Sequence, residues 1–160
     1  MSLRTVRIVP PGGCNLIVGS THFIKSAEDL YEAIVTSVPA VKFGLAFAEA
    51  SGPCLIRTEG TDDALRDLAA QFAVNLSCGH TFIVFLRDAY PINVLNAIKR
   101  VPEVCSIFCA TANPVEVVVF DSDEGGAVLG VVDGYFSKGI EKAEDREERR
   151  SFLRKIGYKL

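Results

Sequence analysis

The segment Thr81–Leu86 constrains this chain more than any other: Phe82, Ile83, Val84, Phe85 and Leu86 follow one another with no polar side chain between them. A strand that is apolar on both faces must be covered on both, so layers of structure have to lie above and below it. Lys42–Glu49 adds a second requirement. Phe43, Leu45 and Phe47 alternate with Gly44, Ala46 and Ala48, which gives a strand with one bulky face and one small face, the small one suited to close packing of a helix.

Around these two strands the hydrophobic period switches repeatedly between 2 and 3.6. Thr5–Val9 and Asn15–Gly19 are short strands flanking the Pro10-Pro11-Gly12-Gly13 turn. Ser26, three residues before Asp29, opens a helix with Ala27, Leu30, Tyr31, Ile34 and Val38 on its apolar side, and Pro39 stops it. Cys54–Thr58 is a strand. Thr61 is the expected cap of a helix carrying Leu65, Leu68, Ala69, Phe72, Ala73 and Leu76, with Gly79 at its end. Pro91 suits the first position of a third helix, which runs through Ile98 to Pro102. Val104–Ala110, Val115–Phe120 and Ala127–Val132 follow as strands, and a charged helix over about Glu144–Ile156 closes at Gly157. Strands alternating with helices predict an α/β fold, and the late run of three strands predicts a mixed sheet. The expectation is a single three-layer α/β/α domain over residues 1–160 with a mixed β-sheet.

Composition removes several classes of function. At 49% hydrophobic and 23% charged residues the chain is globular, neither disordered nor fibrous. A net charge of −3 offers no basic face for nucleic acid. The charge is uneven: residues 1–136 hold 9 basic and 15 acidic side chains, residues 137–160 hold 8 and 5. The dense Glu141–Arg150 run reads as a solvated helix face, or as a contact for a phosphate or a neighbouring subunit. Five cysteines, an odd number without a C-x-x-C pair, read as free thiols in a reducing compartment. The longest uncharged stretch, Leu68–Leu86, holds Gln71, Asn75, Ser77, Gly79 and His80, and so is a helix end, a turn and a strand, not a membrane span. A cytoplasmic protein without a membrane partner is expected.

Polar residues collect at the strand ends, where ligands gather in open α/β sheets. Glu49, Ser51 and Gly52 follow one strand, Arg87 and Asp88 the central one, Asn113 a third and Asp133 a fourth. Asp88 and Asp133 equally suit turn caps. His22 precedes a helix start in Gly19-Ser-Thr-His-Phe-Ile-Lys-Ser26. A neutral imidazole is a nucleophile that can carry a phosphoryl group, a helix N-terminus offers amides to the anion, and Lys25 a point charge. An ordinary turn histidine beside a loop lysine would look the same. His80, between Gly79 and the central strand, suits a hydrogen-bonded structural residue. No G-x-x-x-x-G-K-[ST], strand-to-helix G-x-G-x-x-G, protein-kinase signature or H-E-x-x-H is present.

Seven segments, Gly19–Lys25, Lys42–Pro53, Gly79–Lys99, Val101–Cys105, Ala110–Val117, Gly130–Gly134 and Leu153–Lys159, are similar to the adenosine-specific kinase family, a group of small prokaryotic proteins. The resemblance implies an α/β fold, a homo-oligomer (a trimer is the expected count), adenosine or AMP as ligand, ATP with Mg²⁺ as donor, and a phosphoryl-bearing histidine. His22 is the expected carrier and His80 its rival. Lys25 would neutralise the phosphoryl group, and Asp88 beside Arg87 would activate the ribose hydroxyl or hold Mg²⁺. Glu49, Asn93, Asn113 and Asp133 are candidates for ribose, base or metal contacts, and Tyr90 or Phe136 for stacking on adenine. The alternative is an adenosine or AMP sensor, or a phosphohistidine carrier, without turnover.

Overall fold

Twelve elements run along the chain in the computed structural model, which describes all 160 residues. They are β1 (Ser2–Ile8), β2 (Cys14–Thr21), α1 (Ser26–Ser37), β3 (Lys42–Ala48), β4 (Ile56–Gly60) and α2 (Asp63–Leu76). Then come β5 (Thr81–Arg87), α3 (Pro91–Lys99), β6 (Val104–Thr111), β7 (Val115–Asp121), β8 (Gly126–Asp133) and α4 (Ala143–Lys155).

The α/β class holds, and β5 is the central strand of a five-stranded sheet of order β4-β3-β5-β2-β6. Phe43, Leu45, Phe82, Val84 and Ile17 face α1 and α3, meeting Leu30, Ile34, Val94 and Ile98. Leu16, Val18, Ala46, Ile83 and Phe85 face the opposite way. There they meet α2, through Leu65, Ala69 and Leu76, and the inner side of a second sheet, through Val115, Val117 and Val119. The small face of β3 is where α2 lies: a Cβ at Gly44 would stand 2.0 Å from the backbone nitrogen of Arg66.

The sheet differs from the mixed one expected. Every pairing is antiparallel, and three strands leave to form a separate sheet of order β1-β7-β8. The reason lies in the crossovers. Each helical connection (β2–α1–β3, β4–α2–β5, β5–α3–β6) joins strands that run the same way but skips one place in the sheet. A strand of opposite direction fills the skipped place, so helix–strand alternation survives while no parallel neighbours form. Two helix boundaries also shift. Asp62, not Thr61, caps α2, accepting from the Leu65 N–H at 3.0 Å. Thr61 instead bridges the start of β3, donating to the Val41 carbonyl at 2.7 Å and accepting from the Phe43 N–H at 3.2 Å. The end of α2 is the left-handed Ser77, two residues before Gly79.

Candidate functional site

Antiparallel packing decides which polar strand ends can work together. The carboxyl ends of β2 and β3 share one rim of the large sheet with the amino ends of β4, β5 and β6. Glu49, Ser51, Gly52, His22, Lys25 and His80 therefore gather on that rim. Arg87, Asp88, Tyr90, Asn93, Asn113 and Asp133 lie at the opposite rim. Six steps along β5 separate the two, which at the usual strand rise is about 20 Å. The polar strand ends thus form two clusters, and Asp88 cannot meet His22 on one phosphoryl group within a chain.

On the first rim His22 directly follows β2 and is exposed, with its backbone N–H donating to the Glu103 carbonyl at 3.2 Å. The next residues wind into α1 through a turn, and this corrects the expected source of anion-binding amides. The N–H groups of Ser26, Ala27, Glu28 and Asp29 are already bonded to the carbonyls of Phe23, Ile24 and Lys25. The unpaired donors lie one turn earlier, at Phe23, Ile24 and Lys25, adjoining His22. The buried hydroxyls of Thr21 and Ser26 bond each other at 2.5 Å and lock the loop between β2 and α1.

Charge on this rim is arranged in pairs. Lys25 Nζ bonds the Asp29 carboxylate. That bond holds Asp29 below the usual carboxylate range, helped by a hydrogen bond with Glu103 and opposed by partial burial. Glu49 accepts from the Leu55 N–H at 2.8 Å and from Arg57 Nε at 2.9 Å. The Leu55 amide is the larger cause of its lowered pKa, Arg57 the lesser. Beyond Glu49, Ser51 and Gly52 form an exposed turn in which Gly52 takes φ +66° and Cys54 φ +52°. His80 is half-buried, left-handed at φ +60° and stacked on Phe47 at 6.2 Å. Its N–H donates to the Ala48 carbonyl at 2.7 Å and its carbonyl accepts from Thr21 at 2.9 Å, so its backbone ties β3 to β2.

Two open grooves flank this rim. One, of about 690 Å³, lies between the start of α1 and β4 and is lined by Ile24, Lys25, Glu28, Arg57 and Glu59. The other, of about 640 Å³, is lined by Glu49, Cys54, Ser77, Gly79 and Glu124. Both fall in the range of small-molecule sites.

Three residues here escaped the sequence. Arg57 stands across the β3–β4 hairpin from Glu49, a pairing that opposite charges around a short turn hint at. Phe23 is 52% exposed beside His22. Glu103 is buried at 4% exposure and its Oε1 has no hydrogen-bond partner.

At the opposite rim several candidates have structural partners. Asn93 Oδ1 accepts from the Tyr90 N–H at 2.8 Å and caps α3. Asp133 Oδ1 accepts from Thr111 Oγ1 at 2.9 Å and Asn113 Nδ2 at 3.0 Å, fastening the β6–β7 turn to the end of β8. Arg87 lies 3.8 Å from Asp62, and Asp88 is exposed at φ +62°. Tyr90 and Phe136 are 63% and 97% exposed and stand away from His22.

Fold and rim together define an α/β protein in which an exposed histidine and unpaired amides share a rim with a groove lined by Lys25 and Arg57. Known proteins narrow this. A family model described as adenosine specific kinase matches residues 6–159, and the chain belongs to that family. The crystal structure of the PH1918 protein from Pyrococcus horikoshii OT3 is similar at 43% identity and a TM-score of 0.95, over 99% of this chain and 98% of that one. No curated protein matches the chain. No helix is long and apolar enough to cross a membrane.

Proposed function

We propose that this protein, acting as one unit over its whole length in the cytosol, moves the γ-phosphoryl group of ATP to adenosine through His22. The observation that carries the reading is the exposed His22 imidazole, followed directly by the unpaired amides of Phe23, Ile24 and Lys25, the last two of which belong to residues lining a groove with Arg57. In the first half-reaction a neutral imidazole nitrogen attacks the γ-phosphorus. A P–N bond forms, the bond to the bridging oxygen breaks, and ADP leaves. In the second, a ribose hydroxyl of adenosine attacks the same phosphorus, the P–N bond breaks, and AMP leaves. The hydroxyl proton passes to the released imidazole. The amides and Lys25 meet the charge on the transferring oxygens. Glu49 holds Arg57, which lines the groove, and Ser51 and Gly52 form the exposed turn after Glu49.

Family membership implies ATP as donor. The chain builds no cluster of three or more His, Cys, Asp or Glu side chains that could hold a metal ion, and on this rim Asp29 and Glu49 are already paired with Lys25 and Arg57. These residues do not fit a protein cage for Mg²⁺, and no step above is routed through one; Mg²⁺ would enter on the phosphates of ATP. Asp88 would serve this centre only from a neighbouring copy in a homo-oligomer, for which we infer a trimer. With Asp88 so far away in the chain itself, a second reading is a phosphohistidine carrier, or an adenosine or AMP sensor, without turnover.

One experiment separates these. The chain is incubated with Mg²⁺ and ATP labelled in the γ-phosphate, with and without adenosine. Acid-labile, alkali-stable label that appears on the protein and then moves to AMP is the expected result. Label that stays on the protein selects the carrier. Failure to label either protein or adenosine overturns the phosphoryl-transfer reading.

A further inference from the structure

Beyond Gly134 and Tyr135, which lie against Asn113 and the Arg7–Glu116 side of the small sheet, residues 136–160 make no hydrogen bond or ion pair with the body they are attached to. They leave β8 at its last residue, Asp133, on an edge of the small sheet. Tyr135, Phe136 and Ile140 are exposed at 94%, 97% and 93%, and α4 has no buried residue. Its ion pairs, Glu141 to Arg146 and Arg149, stay within the arm, as do its hydrogen bonds. A helix of this length is marginal in water without tertiary support, and this one keeps Phe152 and Ile156, one turn apart, in solvent. Yet the arm has a defined place. A TM-score of 0.95 over 99% of the chain leaves no room for a sixth of the residues to lie elsewhere in the PH1918 crystal structure. An unsupported arm would not hold one position in two sequences that differ at more than half their residues.

The body has a matching vacancy. Alternate residues of the small sheet point away from the core: Leu3 pairs with Phe120, Thr5 with Val118, and Glu116 with Val132. Leu3, Leu129 and Val132 on this side are 68%, 61% and 53% exposed, and Leu129 sits at the register shift in the β7–β8 pairing. An apolar sheet face of this kind marks an interaction surface.

We infer that α4 and its lead-in segment form an assembly arm, which covers the outer β1–β7–β8 face of a second copy of this chain. Charge favours that occupant: the arm carries 8 basic and 5 acidic side chains over residues 137–160, the body 9 and 15 over residues 1–136. Each arm is therefore attracted to another copy's body. Glu144, Asp145, Glu147 and Glu148 within the helix disfavour an anionic membrane surface. Arm on face is a head-to-tail contact between unlike patches, which closes into a ring where the rotation between copies closes and otherwise propagates as a filament. The inference rests on the homo-oligomer reading and names the device that builds it.

The test uses the full-length chain and light scattering after size exclusion. Phe152→Glu with Ile156→Glu spoils the arm; Leu129→Glu with Val132→Glu spoils the face. All four positions are exposed, so circular dichroism should show the body folded in both variants. The wild type is expected as an oligomer and each variant as a single 17.3 kDa chain. An equimolar mixture of the variants should form a dimer, because one intact arm meets one intact face. A monomeric wild type overturns the homo-oligomer reading and this inference together, and its co-sedimentation with phosphatidylserine vesicles would assign the arm to lipid instead. An oligomeric wild type whose arm variant still assembles overturns the arm alone. A mixture that stays monomeric overturns the arm-on-face pairing.

Discussion

The backbone N–H of Thr21 donates to the His80 carbonyl at 2.9 Å, so the chain's two histidines lie one residue apart across the β2–β5 pair. Their surroundings differ. His22 is exposed beside unpaired amides, whereas His80 stacks on Phe47 and joins two strands through its backbone. His22→Ala should abolish labelling by γ-labelled ATP and change stability by no more than about 0.5 kcal/mol, as for an exposed side chain. His80→Gly, which accepts the left-handed φ without strain, should keep the label. The reverse pattern would move the phosphoryl group to His80.

Gly44 is where β3 and α2 touch. A methyl group there would enter the Arg66 and Leu65 backbone at 2.0 and 2.1 Å, and backbone cannot move aside as a side chain can. Gly44→Ala should therefore cost about 3 kcal/mol or more, read as a lowered urea midpoint. An unchanged midpoint would mean that α2 does not sit on this strand.

Acid should weaken the protein through two named groups. Asp29 is held below the ordinary range first by Lys25, and Glu49 first by the Leu55 amide. A carboxylate with a depressed folded pKa stabilises the fold above its unfolded pKa, about 4, and that contribution is lost as pH falls through the lower folded value. The urea midpoint should thus decline below roughly pH 4, with a shallower decline in Asp29→Asn and in Glu49→Gln. Identical acid limbs in wild type and variants would contradict both pairings.

Thiol chemistry should divide the cysteines. Cys54 and Cys105 are exposed, while Cys14, Cys78 and Cys109 are buried. Burial is the main cause that raises the Cys78 and Cys109 thiols, the latter to about 11. At neutral pH a disulfide reagent should modify two thiols quickly, the remaining three only on unfolding. Fast reaction of all five in the native protein would show a looser core.

Much of the fold was legible because local physics wrote it. The unbroken apolar run of Phe82–Leu86 marked the central strand, and the small residues of β3 marked the helix seat. Pro39, Pro91 and Pro102 bounded helices because proline cannot donate to a helix and fixes its own backbone. The α2 cap moved from Thr61 to Asp62 because either side chain can accept at that end, and Thr61 found partners at Val41 and Phe43.

The sequence by itself determined the kinds of element, their order, the histidine loop and the family resemblance, since each depends on residues near one another in the chain. Tertiary structure alone decided that the helical crossovers skip a strand, making the sheet antiparallel and placing Glu49 with His22 while carrying Asp88 to the far rim. It also decided that Glu103 is buried against Asp29, and that α4 stands away from its own body. Strand order is a long-range choice, set by which apolar faces cover each other, and no local pattern of side chains encodes it.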